Sequence, residues 1–408
     1  MTTRAVNDTL TRVSPDTAMG ALLRQYWIPA LRAQRLAEPD GDPVGVQLLG
    51  ERFVAFRATD GRIGFFAEAC PHRGASLTLA RNEDCALRCI YHGWKMDVSG
   101  AVLETPSEPA ERTAFREKVR VRHHPAVEAG GIVWVWLGEP GQPPSPFPRF
   151  SFTTLPPEHV FAIVAVVECN WLQGLEADLD SAHVSLLHGT EAGQGHLASV
   201  LDDTAPRDEF DPQPYGFRVG AVRTLRTGET YVRVKPYAMP WYTIVPESPA
   251  GDRLWHAWVP IDDTRTIMWY LWFNEDQPVD PARFADQFGL DLAQLNPDNF
   301  REGRSRANGW GQDRAGMRAG NSFSGIRGIA MQDIAVQESM GPIVDRTREH
   351  PGSSDHGIVH TRRFLLDAVR GHRPDTAPPG LADGVNYGTV RSGSVVVAPG
   401  EDWRSAPL

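Results

Sequence analysis

The sequence predicts a small all-β domain followed by a larger α+β domain. Three observations lead there. Residues 27–138 break into short β-like runs separated by turn residues. A tract dense in proline and glycine follows at 138–150. The rest of the chain alternates helical patterns with an aromatic-rich series of strand-like runs at 216–273.

At the N-terminus, SPDTAMGALLRQYW predicts a helix with Ser14 as N-cap, Pro15 at the first helical position, and Asp16 and Thr17 in the first turn. VGVQLL, RFVAFR and IGFFAEA then read as strands separated by Gly50-Glu51 and Asp60-Gly61, the second a hairpin turn. GIVWVWLG closes the β region. In the following GEPGQPPSPFPRF, seven of thirteen residues are Pro or Gly, the composition of a linker or boundary. FAIVAVVE reads as a strand that runs into CNWLQGLEADLDSAHVSLLHG. There Leu172, Leu175, Leu179 and Ala182 recur at helical spacing, and Gly189 is a natural stop. The runs at 216–273 read as an antiparallel sheet carrying Trp241, Tyr242, Trp255, Trp258, Trp269, Tyr270, Trp272 and Phe273. Large aromatics in a sheet are core by default, although these would also suit a flat apolar ligand. Helical patterns return at 281–294, 330–340 and 361–370, before a Pro/Gly-rich tail from Arg373. The expected organisation is an N-terminal helix over 1–26 packing with the larger domain, a β domain over 27–138, a linker over 139–150 and the larger domain over 151–408.

With 408 residues the chain can bury a sizeable core, and a net charge of −10 leaves no basic footprint for nucleic acid or an anionic membrane. The N-terminus lacks the apolar core of a signal peptide, and FAIVAVV and GIVWVWL are too short to span a bilayer. Four cysteines in a chain of this size argue against a disulfide framework and for reduced thiols, hence a cytoplasmic protein.

The chemistry starts with Cys70-x-His72 and Cys89-x-x-His92. Two thiolates and two imidazoles on a pair of β-type loops can hold one zinc or a two-iron cluster. Cys2His2 zinc fingers pair cysteine with cysteine and histidine with histidine. Here each loop supplies one of each, which suits a [2Fe–2S] cluster with the cysteines on one iron and the histidines on the other. Gly74 and Gly93 would let the backbone pass close to the cluster. Cys85 and Cys169 have no partner spacing and read as buried thiols. Downstream, Asp180-Ser-Ala-His183-Val-Ser-Leu-Leu-His188 puts Asp180 and His183 on one helical face and His188 near the helix end. The two histidines can converge on one metal if the helix loosens there; standing alone, the pattern is more often structural.

The first pair of loops resembles the Rieske domain over about 27–138. In respiratory-chain Rieske proteins each loop carries an extra cysteine and the two pair; Ala75 and Tyr91 stand there in this chain. Trp94 stands where those proteins have a cluster-bonding serine, so the resemblance implies a lower-potential carrier fed from NAD(P)H rather than from a quinol. A Rieske domain followed by D-x-x-H-x-x-x-x-H resembles the Rieske non-haem iron aromatic ring-hydroxylating oxygenases. The stretches NWLQGLEADLDSAHVSLLHG, WGQDRAGMRAGNSFSGI and QDIAVQESMGPIVDRT look most like their phthalate dioxygenase branch.

That resemblance implies a catalytic domain with a curved antiparallel sheet covered by helices, of the helix-grip, Bet v1/START-like kind. It implies Cys70, His72, Cys89 and His92 as cluster ligands, and His183 and His188 with a downstream carboxylate, assigned to Asp333, as a facial triad on Fe(II). Glu338 and Asp345 compete with Asp333 on chemistry alone, although an ion pair with Arg346 would explain Asp345. Asp180 would bridge a ligand histidine here to a cluster histidine of a neighbouring subunit. Glu176, one turn before Asp180, stands where related dioxygenases have asparagine and is a second candidate catalytic residue. The implied activity is that of a terminal oxygenase using O2 and electrons from NAD(P)H. A separate reductase with flavin and [2Fe–2S] would deliver them, and the subunits would assemble as trimers or stacked trimers. The implied substrate is an aromatic carboxylate such as a phthalate-like acid, dihydroxylated; the alternative is aryl ether O-demethylation or diaryl ether cleavage. A further alternative is an electron-transfer protein with an inert second domain. Arg207, Arg218 and Arg223 are available for a carboxylate, but surface solvation is the default for each.

Overall fold

Threonines, not Ser14, start the N-terminal helices. In the computed structural model, which describes residues 2–109, 111, 113–192, 198–246, 251–301, 303–373, 376–398 and 400–406, α1 (Arg4–Thr11) is capped by Thr3. The next helix, α2 (Ala18–Leu23), is capped by Thr17, whose hydroxyl accepts from Gly20 N. Ser14 instead donates its hydroxyl to Asp16 within the intervening bend. Two cappers compete within four residues, and the one whose acceptor faces the free N–H groups wins.

The β region comprises β1 (Trp27–Arg32), β2 (Val44–Leu48), β3 (Glu51–Arg57), β4 (Ile63–Ala67), β5 (Arg81–Glu83), β6 (Ala86–Arg88), β7 (Lys95–Asp97) and β8 (Val102–Glu104). After the short helix α3 (Thr113–Arg116) come β9 (Ala126–Ala129) and β10 (Ile132–Trp136). They form three antiparallel sheets, β1-β10-β9, β2-β3-β4 and β5-β6-β7-β8. Strand alternation lets β3 and β4 serve two cores at once. Val54, Phe56 and Phe66 pack with the cysteine loops and Trp94. Their neighbours Phe53, Ala55 and Phe65 join a core that continues through β1 and β10 into the second half of the chain. The tract expected to be a linker is pinned by rings: Phe147 lies edge-on to Trp27 and Trp134, each at 5.5 Å. Phe150 packs on Tyr242 and Trp255.

The second half opens with β11 (Val160–Val167), followed by α4 (Trp171–Leu179), α5 (His183–Leu186) and α6 (Gly189–Ala192). Six strands follow: β12 (Arg207–Gln213), β13 (Gly216–Thr224), β14 (Thr230–Ala238), β15 (Tyr242–Val245), β16 (Arg253–Pro260) and β17 (Thr266–Phe273). Then come α7 (Ala285–Phe288), α8 (Arg314–Arg318), α9 (Ile329–Ser339), α10 (His356–Gly371) and β18 (Gly393–Val397). One eight-stranded sheet runs β11-β17-β16-β15-β14-β13-β12, with β18 on the free stretch of β14. The tail thus contributes a strand that its Pro/Gly content hid. The helical pattern at 281–294 shrinks to a turn at Pro281–Arg283 and α7, ended by Gly289 in the left-handed region. The 361–370 helix begins earlier, at His356. Among the described residues, no helix is long and apolar enough to cross a membrane.

The expected single helix over 170–188 is broken. Asp180 ends α4 in extended conformation, and its Oδ1 accepts from Ala182 N at 2.8 Å. Two carbonyls of the break are taken by side chains from distant strands: Lys235 Nζ donates to Asp178 O, and Arg223 Nη2 donates to Ser181 O. Gly189, expected as a stop, starts α6 instead.

Candidate metal centres and the cavity beside them

The two cysteine loops are backbone copies of one another. Cys70 N donates to Ala75 O (2.8 Å) and Gly74 N to Cys70 O (2.9 Å); Cys89 N donates to Trp94 O (2.8 Å) and Gly93 N to Cys89 O (2.9 Å). Both closures need a left-handed residue at the fifth position, and Gly74 and Gly93 take φ of 76° and 73°. Both cysteines are buried, and the rings of His72 and His92 lie 4.5 Å apart. Burial pushes the Cys70 thiol up to about 11, with Cys89 beside it adding to the shift. Such a pair becomes thiolate on taking up a cation, which fits two sulfurs and two imidazoles around a two-iron cluster. Trp94 stacks on His72 at 4.5 Å and 8°, its Nε1 donating to Ser107 Oγ. Ile90 and Tyr91 at the loop tip are exposed. Cys169 is buried as expected, but Cys85 is only half-buried, on a turn at φ 59°.

The break after α4 creates the second centre. Asp180 sits at the helix end with Oδ2 3.4 Å from His183 Nδ1. His188, just past α5, is buried, and α9 brings Asp333 across so that its Oδ1 lies 3.1 Å from His188 Nε2 and 3.8 Å from His183 Nε2. One ligand atom from each of the three lies within 4.8 Å of the others. Two imidazoles and a carboxylate at that separation are a donor set for Fe(II) that leaves coordination positions open. Burial pulls the His188 ring toward neutrality, but Asp333 more than offsets it and raises its affinity for a proton. The competing carboxylates are committed elsewhere: Glu338 to Arg301 and Trp310 Nε1, Asp345 to Thr347.

Glu176, expected as a catalytic residue, is buried between two arginines. Arg346 meets both its carboxylate oxygens (3.0 and 2.8 Å) and Arg362 donates Nε at 2.6 Å. Burial alone would raise its affinity for a proton, but the arginines hold it below the usual carboxylate value. It is a clamped anion, not a proton source. Arg346, proposed above to explain Asp345, pairs with Glu176 instead.

A cavity of about 320 Å³ opens onto His183, His188 and Asp333, a size suited to a small aromatic molecule. Its floor is the sheet, where alternation aims Arg233 and Lys235 of β14, His256 and Trp258 of β16, and Tyr270 and Trp272 of β17 to one side. Phe284, stacked on Trp272 at 4.1 Å, and Phe288 complete the lining. Asp178 is buried on the cavity side of the sheet and accepts from Thr243 Oγ1 (2.6 Å), Trp258 Nε1 (2.7 Å) and His256 Nδ1 (2.8 Å). Burial opposes its charge, but His256 and Lys235 hold the carboxyl well below its ordinary value. His256 Nε2 is buried without a partner among the described residues, its ring stacked on Tyr270. Burial lowers Lys235 to about 8.

Arg233 is the odd group. It is buried, burial lowers its affinity for its proton, and it has no ion pair or hydrogen bond among the described residues. Sequence reasoning missed Arg233, Lys235, His256 and Asp178. The available signal was in TYVRVKPYA, where two cations alternate on the face that also carries Tyr231 and Tyr237. Of the arginines considered from sequence, Arg207 is exposed beside Glu209, Arg218 pairs with Asp211, and Arg223 is spent on Ser181 O and Asp203 O. None lines the cavity.

Comparison with known proteins matches the Rieske [2Fe-2S] domain over residues 26–125 and the LigXa C-terminal domain like family over 135–407. The chain is 38% identical to the phthalate 4,5-dioxygenase oxygenase subunit of Pseudomonas putida, over 99% of this chain and 94% of that one. It is 36% identical to the 3-chlorobenzoate-3,4-dioxygenase oxygenase subunit of Comamonas testosteroni, over 98% and 96%. Among solved structures, the terminal oxygenase of carbazole 1,9a-dioxygenase from Novosphingobium sp. KA1 shares the fold with a TM-score of 0.58. That match has 21% identity over 90% of this chain and 99% of the other.

Proposed function

The chain belongs to the Rieske non-haem iron oxygenases, in their phthalate dioxygenase-like branch, and from that premise we propose that it hydroxylates an aromatic acid docked on Arg233. As a Rieske oxygenase it is an oxidoreductase with a [2Fe–2S] cluster and a mononuclear iron. The observation that carries the substrate assignment is the buried Arg233, with no ion pair or hydrogen bond among the described residues, in the same cavity as the triad. Burying a guanidinium without a partner is costly and a carboxylate meets it best; of the carboxylates lining the cavity, Asp178 and Asp252 have partners of their own and Asp333 belongs to the triad. Asp178 serves His256, Thr243 and Trp258, and Asp252 serves Arg283 at 3.0 Å. The names of the two relatives, acting on phthalate and 3-chlorobenzoate, support the same substrate class.

In this reading Cys70, His72, Cys89 and His92 hold the cluster, and His183, His188 and Asp333 hold the iron. Bound there, the iron supplies dioxygen activation and the cluster supplies electrons one at a time. Arg233 orients the acid, and the walls of Trp258, Tyr270, Trp272, Phe284 and Phe288 hold its ring and exclude water. Asp180 bridges His183 toward a neighbouring subunit's cluster. A second cavity of about 310 Å³ on the Asp180 side of the triad supports this. So do the exposed apolar residues Met340 and Val336 beside it, and Ile90 and Tyr91 at the loop tip. Electrons come from NAD(P)H through a separate flavin and [2Fe–2S] reductase, in the cytoplasm, and the copies assemble as a trimer or stacked trimers.

The test is a reconstituted assay with NADH, a surrogate reductase, and a panel of aromatic acids, their neutral amides and methoxylated analogues, scored by incorporation of labelled O2. Labelled products from acids, with amides poor, are expected. Equal turnover of amides would overturn the Arg233 assignment, and formaldehyde release from methoxylated acids would move the reaction to demethylation. A His183→Ala variant should keep the cluster's spectrum and lose turnover; retained turnover would remove the triad.

A further inference from the structure

We propose that Gln332 and Glu191 form a positioning relay that fixes the tautomer of His188 and so aims its Nε2 lone pair at the metal. The inference rests on the triad reading above. Gln332, the residue before Asp333 on α9, is fully buried, and its Oε1 lies 2.6 Å from His188 Nδ1. The orientation of an amide is settled by its other contacts. Gln332 Nε2 donates to Ile326 O at 2.8 Å and to Glu191 Oε1 at 2.9 Å. A backbone carbonyl can only accept, so the nitrogen faces that side and the oxygen faces His188. His188 Nδ1 then carries a hydrogen, and on the neutral ring Nε2, 3.1 Å from Asp333 Oδ1, holds the lone pair toward the triad.

The two histidines are therefore supported differently. His183 Nδ1 faces the carboxylate of Asp180 at 3.4 Å, whereas His188 donates to a neutral amide whose orientation is locked by a carboxylate. Without Glu191 one amide hydrogen of Gln332 loses its acceptor, and the barrier to flipping the amide and presenting N–H to His188 falls. A flipped amide would favour the tautomer with the hydrogen on Nε2, which cannot bind metal.

The test uses the full chain with its cluster intact, stripped of mononuclear metal, and titrates Co(II) against a competing chelator. Gln332→Leu should bind Co(II) roughly 10- to 100-fold more weakly than wild type. Gln173→Leu is the control for a merely structural glutamine. It removes an equally buried side chain that joins α4 to Gln337 O and Gly341 O, and should leave Co(II) affinity within about twofold while lowering the melting temperature. Should Gln332→Leu fail to fold, the half-buried end of the relay is tested: Glu191→Leu should weaken binding several-fold, while Glu191→Gln, whose amide oxygen can still accept, should recover it. Wild-type affinity in Gln332→Leu, or in Glu191→Leu, overturns the relay. Failure of the wild-type chain to bind any metal beyond the cluster would instead overturn the triad itself.

Discussion

Replacing Arg233 by methionine should raise stability and destroy substrate selectivity together, a combination that an ordinary structural residue does not give. Among the described residues no anion meets the buried guanidinium. Exchanging buried charge for an apolar side chain of similar length is neutral to stabilising, by up to about 4 kcal/mol. Once an acid is bound, the same exchange removes one partner of a desolvated, hydrogen-bonded charge pair and costs about 2–5 kcal/mol. Taken as binding energy, that is roughly 30- to 5000-fold in affinity. Lys235 does not take over, because its ammonium is held by the carbonyl of Asp178. The assay pairs a thermal melt without substrate with kcat/KM for a benzoate and its benzamide. Arg233→Met should melt at or above the wild-type temperature and lose the preference for acid over amide. A variant that melts lower, or keeps that preference, would refute the reasoning.

Two further perturbations follow from buried carboxylates. Glu176→Gln should destabilise the chain by about 3–5 kcal/mol in denaturant melts, because it leaves Arg346 and Arg362 buried without their shared anion; unchanged stability with lost turnover would restore Glu176 as a catalytic group. Asp208, raised to about 6 mainly by burial, keeps its proton in the folded state across a range where the unfolded chain has lost it. Its contribution is therefore complete below the ordinary value of 3.8 and falls as pH rises through 6, by about 3 kcal/mol. Asp208→Asn should flatten that decline, and identical pH–stability curves for variant and wild type would exclude it.

The metal chemistry was legible because its geometry is local. Each cysteine loop closes its own backbone bonds within six residues, so spacing and geometry are nearly one thing. His183 and His188 share a short segment, and a carboxylate on another helix completes the set. The helix break that lets them converge was not legible, since Lys235 and Arg223, the side chains that claim its carbonyls, come from strands folded much later in the chain. Glu176 misled for the same reason: its arginines stand 170 and 186 residues away. Arg233 is the extreme case: the one signal within β14 is that it alternates with Tyr231, Lys235 and Tyr237 on one face, and only the packing of distant elements shows that this face is buried against a cavity. The site is thus divided by origin. Its candidate metal ligands lie on α5, α9 and the segment after α5, whereas Arg233, proposed to meet the acid, lies on β14, a strand that contributes none of those candidates. A substitution at Arg233 can therefore alter which acid is accepted while leaving the metal geometry in place, whereas one at Lys235 of the same strand would also free the carbonyl of Asp178 at the helix break.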